Sequence, residues 1–138
     1  MHSCKLLAHT ADMKFFLRAS SFAELFQAGL EALAITLGGE EVKNSSEWTL
    51  TEEVSLEAPD ATALLVDFLG EVLVLSYQKK ILFLKVKFSR LSEREAVGRI
   101  YGRRVQEFKD EVKAVTYHQA EIRKTKDNLF ETIIVFDV

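Results

Sequence analysis

An α+β architecture, a two-layer sandwich in which a mostly antiparallel or mixed β-sheet carries two helices on one face, follows from three features of the sequence. Apolar and polar residues alternate with period two in several stretches, two windows carry helical spacing instead, and the two kinds do not follow a strict strand–helix–strand order. The 138 residues suffice for one domain with a sizeable core, 1–138, and show no internal repeat, low-complexity tract or linker. A hydrophobic fraction of 48% beside 28% charged residues excludes intrinsic disorder.

Lys5 to His9 and Met13 to Ala19 read as two strands separated by a polar junction. Ser21 followed by Glu24 has the pattern of a capping box, and Phe22, Leu25, Phe26, Leu30, Leu33, Ala34 and Leu37 continue at helical spacing until Gly38-Gly39. This is an amphipathic helix against a sheet. After a polar connection, Glu40 to Ser46, the segment Glu47 to Glu57 alternates as a half-buried strand, with Trp48, Leu50, Val54 and Leu56 on one side. Pro59 ends it and Asp60 is an N-cap. From Ala61 the chain forms a second helix so apolar that both sides must be covered, which makes it the expected central helix. Its stretch Ala61 to Tyr77 carries Asp67 and Glu71 and falls short of the roughly 20 apolar residues of a membrane span.

Ile81 to Phe88 and Ala96 to Val105 are two further strands, paired as a hairpin through Ser89 to Glu95. Gly98 and Gly102 mark places where a bulge or a close backbone approach is needed. Val112 to Tyr117 follows a polar link, Gln119 to Lys124 alternates as a strand, Asp127-Asn128 is a turn, and Leu129 to Asp137 is a final strand.

Cys4 has no intramolecular partner and reads as a small core residue in a reducing compartment. With no signal-peptide pattern, a cytoplasmic protein is expected. Charge is unevenly spread: Lys79 to Lys126 holds 14 Lys/Arg against 6 Asp/Glu, and the rest holds 4 against 15. Such a basic excess serves either as solvated strand faces or as a surface for nucleic acid or an acidic protein. No aromatic stacking platform is interleaved with it in the linear sequence, which argues against direct nucleic-acid contact.

Chemistry concentrates in three places. His9-Thr10-Ala11-Asp12 puts an imidazole, a hydroxyl and a carboxylate at a strand junction, where they can bind a metal, orient a base or make a turn. The Asp137 side chain and the Val138 carboxylate would join Asp12 as hard oxygen ligands suited to Ca²⁺, Mg²⁺ or Mn²⁺. Lys113, Thr116 and His118 offer a cation, a hydroxyl and a titratable ring, for phosphate or proton transfer, or simply a solvent-facing strand entry. Asp67 is either a solvent-facing or capping carboxylate or a functional one near the His9–Asp12 cluster. Phosphate-binding loops, GxSxG elbows, HExxH helices and Cys/His zinc spacings are absent from the sequence.

The blocks His9-Thr10-Ala11-Asp12, Leu65-Val66-Asp67-Phe68-Leu69, Val112 to His118 and Phe136-Asp137-Val138 resemble those of the archease family, in the same order and across essentially the whole chain. The resemblance implies a non-catalytic protein cofactor of the GTP-dependent RNA ligase that joins 3′-phosphate or 2′,3′-cyclic-phosphate ends to 5′-hydroxyl ends in tRNA splicing or RNA repair. It would promote guanylylation of the ligase histidine and multiple turnover. It also implies a divalent-metal site at Asp12, Asp137 and Val138. Lys113 and His118 are then candidates for supporting docking to the ligase, and His9, Thr10, Asp67 and Thr116 are further partner or function candidates. RNA would be met through the ligase, without a membrane, by a monomer or weak oligomer. Many members have Gly where this chain has Lys14. Two other readings stay open: a stand-alone metal-dependent phosphohydrolase and a nucleic-acid-binding chaperone.

Overall fold

The computed structural model describes residues 1–9, 12–38, 48–117 and 120–138, with only the backbone of Ala8 and His9. The elements are β1 (His2–His9), β2 (Asp12–Ala19), α1 (Phe22–Gly38), β3 (Leu50–Glu57), α2 (Ala61–Lys79), β4 (Ile81–Leu91), β5 (Glu95–Arg104), β6 (Ala114–Thr116), β7 (Arg123–Lys124) and β8 (Phe130–Asp137). The α+β class therefore holds, and every strand pairing among the described residues is antiparallel. The strands divide into two sheets. One runs β1-β2-β8-β6, with β7 beside the first half of β8, and the other runs β3-β5-β4.

Both helices start as the sequence predicts. The Glu24 N–H donates to Ser21 Oγ at 3.1 Å, and the Ala63 N–H donates to Asp60 Oδ1 at 2.8 Å, each satisfying an amide that has no partner within the helix. At the other end of α2, Lys80 takes a left-handed conformation and its N–H reaches Ser76 O.

The roles of the two helices are exchanged relative to the expectation. Eleven of the 17 residues of α1 are buried, against eight of 19 in α2, where Val74 and Tyr77 stay exposed. The physical reason is the small residues of α1. Ala28, Gly29, Ala32 and Ala34 let neighbours approach on sides that hydropathy leaves unassigned, and a Cβ on Gly29 would lie 3.1 Å from Leu69 of α2. Thus α1 touches β1, β2 and β8 of one sheet, β4 of the other, and α2. Its Gln27 completes the enclosure: Nε2 donates to Leu84 O at 2.9 Å and Oε1 accepts from Val86 N at 3.0 Å. The side-chain amide thereby acts as a strand partner for the free edge of β4.

The β4–β5 hairpin forms as expected, and its two glycines are explained by its two irregularities. The register shifts between Phe83 and Lys85, opposite Gly102, and between Phe88 and Arg90, opposite Gly98. A Cβ at Gly102 would sit 2.2 Å from Leu82 O, and one at Gly98 would sit 2.4 Å from Lys87 O. The turn at Asp127-Asn128 also holds, with Asn128 in the left-handed region.

The strand expected over Gln119 to Lys124 shrinks to Arg123–Lys124. Its backbone is engaged elsewhere: the Glu121 N–H bonds to Thr132 Oγ1 and the Ile122 N–H to Thr62 Oγ1, both at 3.1 Å. The polar connection expected over Glu40 to Ser46 lies outside the described residues.

Candidate functional site

Two strands deliver the acidic residues to one place. Along β2, Met13, Phe15, Leu17 and Ala19 are buried against the core, so Asp12, Lys14, Phe16 and Arg18 project from the opposite face. In the β2–β8 register Asp12 stands directly opposite Asp137, and Arg18 opposite Glu131. Directly opposed residues of an antiparallel pair share a face with neighbouring Cβ atoms, so the two carboxylates are neighbours. The contrast along the same ladder is informative. Arg18 Nε donates to Glu131 Oε2 at 2.7 Å, whereas Asp12 and Asp137 make no ion pair or side-chain hydrogen bond among the described residues. Both are half-buried.

On its other side Asp137 pairs with Ala114 of β6, and its carbonyl accepts from the Lys113 N–H at 2.7 Å. Val138 packs its side chain against the core, which holds the last residue in place instead of letting it fray. The next row on the same face contains Lys14, Val135 and Thr116, whose Oγ1 donates to Val135 O at 3.4 Å. Lys14 is an ordinary strand residue, with Ala8 and Val135 as partners.

The sequence-predicted residues therefore separate. Asp12, Asp137 and Val138 come together at one end of the larger sheet, with the Lys113 and Thr116 backbones beside them. His9 pairs through its backbone with Met13. Thr10 and His118 lie outside the described residues. Asp67 has a partner of its own: the Tyr117 hydroxyl donates to Asp67 Oδ1. That bond, with some burial and the Asp67 charge, pushes the Tyr117 phenol up to about 12 by favouring its neutral form.

This bond belongs to a series that hydropathy reading misses. The Tyr77 hydroxyl donates to Val112 O at 2.9 Å and accepts from Val112 N at 2.7 Å. Asp67 holds Tyr117, and Thr62 holds Ile122. Ten helical residues from Tyr77 back to Asp67 span ~15 Å. Five extended residues from Val112 to Tyr117 span ~17 Å. The returning chain thus runs antiparallel to α2 and is fastened to it at Tyr77 and Asp67 over matched spans, which fixes β6 against β8 beside the carboxylates. The available signal was Thr62, Asp67 and Tyr77, hydroxyl- or acid-bearing residues on a largely apolar helix that also carries Glu71 and Ser76, since such groups need partners where they are covered.

Among the described residues no group of three or more His, Cys, Asp or Glu side chains is arranged to hold a metal. The donor set at this end is instead two facing side-chain carboxylates and the main-chain carboxylate that follows. All are hard, anionic oxygens that make no ion pair among the described residues, and that chemistry fits Ca²⁺, Mg²⁺ or Mn²⁺.

Comparison with known proteins bears on the family and the fold. The model of the Archease protein family matches residues 5–138. Protein archease of Methanosarcina acetivorans is 33% identical over 138 residues, covering 94% of this chain and 92% of the relative. Protein archease of Thermococcus kodakarensis is 31% identical, covering 94% of each. The solution structure of Methanobacterium thermoautotrophicum protein 1598 superposes with a TM-score of 0.77 at 27% identity, covering 98% of both chains. The crystal structure of an archease from Thermotoga maritima, called a possible chaperone, shares the fold with a TM-score of 0.66 at 22% identity, covering 97% of this chain and 96% of that one. The family match runs from within the first strand to the carboxylate end, and the chain belongs to the archease family.

Proposed function

We propose that the protein is a non-catalytic activator of a GTP-dependent 3′-phosphate/5′-hydroxyl RNA ligase, promoting guanylylation of the ligase histidine and multiple turnover in tRNA splicing or RNA repair. The observation that carries this reading is the facing pair Asp12 and Asp137. Like charges directly opposite on a sheet are destabilising, and no basic side chain relieves this pair among the described residues. Asp12, Asp137 and the Val138 carboxylate would hold one divalent cation. A cation bound there supplies positive charge for a polyphosphate. The chain's own contribution is to position: the β2–β8 ladder sets the two side chains, and the clasp between α2 and the 112–122 segment keeps β6 and Lys113 alongside. Lys113 is exposed and adds a cation at the rim of this acidic end, suited to meeting the ligase surface.

The reading is tested by ligation of a 2′,3′-cyclic-phosphate RNA to a 5′-hydroxyl RNA, with ligase limiting. The wild-type protein should convert a single round into many, and Asp12→Ala should abolish the gain while leaving the fold intact by circular dichroism. Retention of the gain in Asp12→Ala contradicts the metal-site reading. Hydrolysis of a phosphoester by the protein alone would instead support a metal-dependent phosphohydrolase.

A further inference from the structure

We propose that the exposed face of the β3-β5-β4 sheet is a direct binding surface for single-stranded RNA, centred on Tyr101. Ala96 and Ile100 of β5 point into the core, so Arg99, Tyr101 and Arg103 line the outer face of the middle strand. The register brings Lys85 opposite Tyr101 and Lys87 opposite Arg99, and the Lys87 ammonium lies 5.7 Å from the Tyr101 ring centroid. An aromatic ring thus stands among four cations contributed by two strands. The linear sequence hides this arrangement because the flanking lysines lie more than ten residues away.

Charge complementarity identifies the occupant. Arg99 pairs with Glu53 at 3.2 Å, but both side chains are more than half exposed, and such a pair yields readily to a phosphate. Lys85, Lys87 and Arg103 have no acidic partner among the described residues; Arg103, whose Nε is buried, stands at the edge of the surface, and Lys85 and Lys87 are the cations open to a phosphate. A shallow depression of about 370 Å³ on the same sheet is lined by Lys87, Ser89, Arg99 and Tyr101 with Glu53 and Ser55. Cations tracking a backbone, hydroxyls, and a half-exposed ring beside them are what an unpaired strand needs. A purely acidic peptide would use the cations and leave the ring unemployed.

The surface lies outside the acidic metal-site residues and its test needs no ligase, so its failure and the failure of the activator reading are separable. Binding of a fluorescently labelled, unstructured 12-nucleotide RNA to the full chain is read by anisotropy at 50 mM salt. Tyr101→Ala should weaken it about tenfold. Lys85→Gln with Lys87→Gln should weaken it further and flatten the log–log salt dependence by about 0.7 for each phosphate no longer neutralised. Both variants should keep the wild-type circular dichroism spectrum. Binding that neither variant changes, no binding at all, or displacement of the RNA by polyglutamate at equal charge concentration would overturn the proposal.

Discussion

Asp12 and Asp137 face each other across a ladder position where opposite charges would stabilise and like charges do not. Asp12→Asn should therefore raise the stability of the metal-free protein slightly, by about 0.2–1 kcal/mol. With the proposed metal site, it should also remove the gain expected of the wild type from a saturating divalent cation, about 2.7 kcal/mol at a hundredfold excess over Kd. Thermal melts of both proteins with and without Ca²⁺ check the two signs together. Two titrations give further expectations at this scale. Hydrogen bonds from Ser20 and the N-terminal ammonium lower Glu24 to about 2. A carboxyl lowered on folding stabilises the protein above its unfolded pKa, and that contribution fades as pH falls from about 4.5 toward 2. The melting-temperature advantage of wild type over Glu24→Gln should accordingly shrink across that window. Tyr117 runs the other way: its neutral form is favoured, so its contribution is complete below about 10 and is lost as pH rises through about 12. Of the three tyrosines, this one should ionise late by ultraviolet absorbance, and Asp67→Ala should bring it back toward 10.

Elements were legible in the sequence where the signal is local and less so where tertiary contacts decide. The capping residues Ser21, Glu24 and Asp60 act on amides three positions away, so sequence order alone reveals them. Gly98 and Gly102 were readable for a similar reason, because a glycine inside an alternating strand has few structural uses. The identity of the central helix was not readable. Hydropathy favoured α2, but burial of α1 depends on Ala28, Gly29 and Ala32, which score weakly, and on Gln27, which scores as polar while bonding the β4 edge. Replacing Gln27 by Met keeps the volume and removes both bonds, leaving Leu84 C=O and Val86 N–H unpaired. The expected cost is on the order of 1–3 kcal/mol for each group, measured by denaturant unfolding. The α2 clasp was likewise invisible, since Tyr77 and Val112 are 35 residues apart. Tyr77→Phe should speed amide exchange at Val112 more than at core positions of β2.

At the scale of the whole molecule, the two candidate surfaces lie on different sheets. The larger sheet ends in the carboxylates of Asp12, Asp137 and Val138, and the smaller one carries Lys85, Lys87, Arg99 and Arg103 on its outer face, where Lys87 and Arg99 are exposed. Sequence order announced this division through the basic excess between Lys79 and Lys126. The family resemblance named Asp12 and Asp137 together, a pairing the residues alone left open, and their direct opposition across β2 and β8 depends on a register that only the folded ladder sets. The carboxylate end, with β6 held beside it by α2, is the surface we propose for the ligase. The most direct test is single-turnover guanylylation of the cognate ligase at limiting GTP and divalent metal. Wild-type protein is compared with a form extended by a few residues beyond Val138. Stimulation by the wild type that the extension abolishes is the expected result; equal stimulation by both forms, or none by the wild type, would contradict the account.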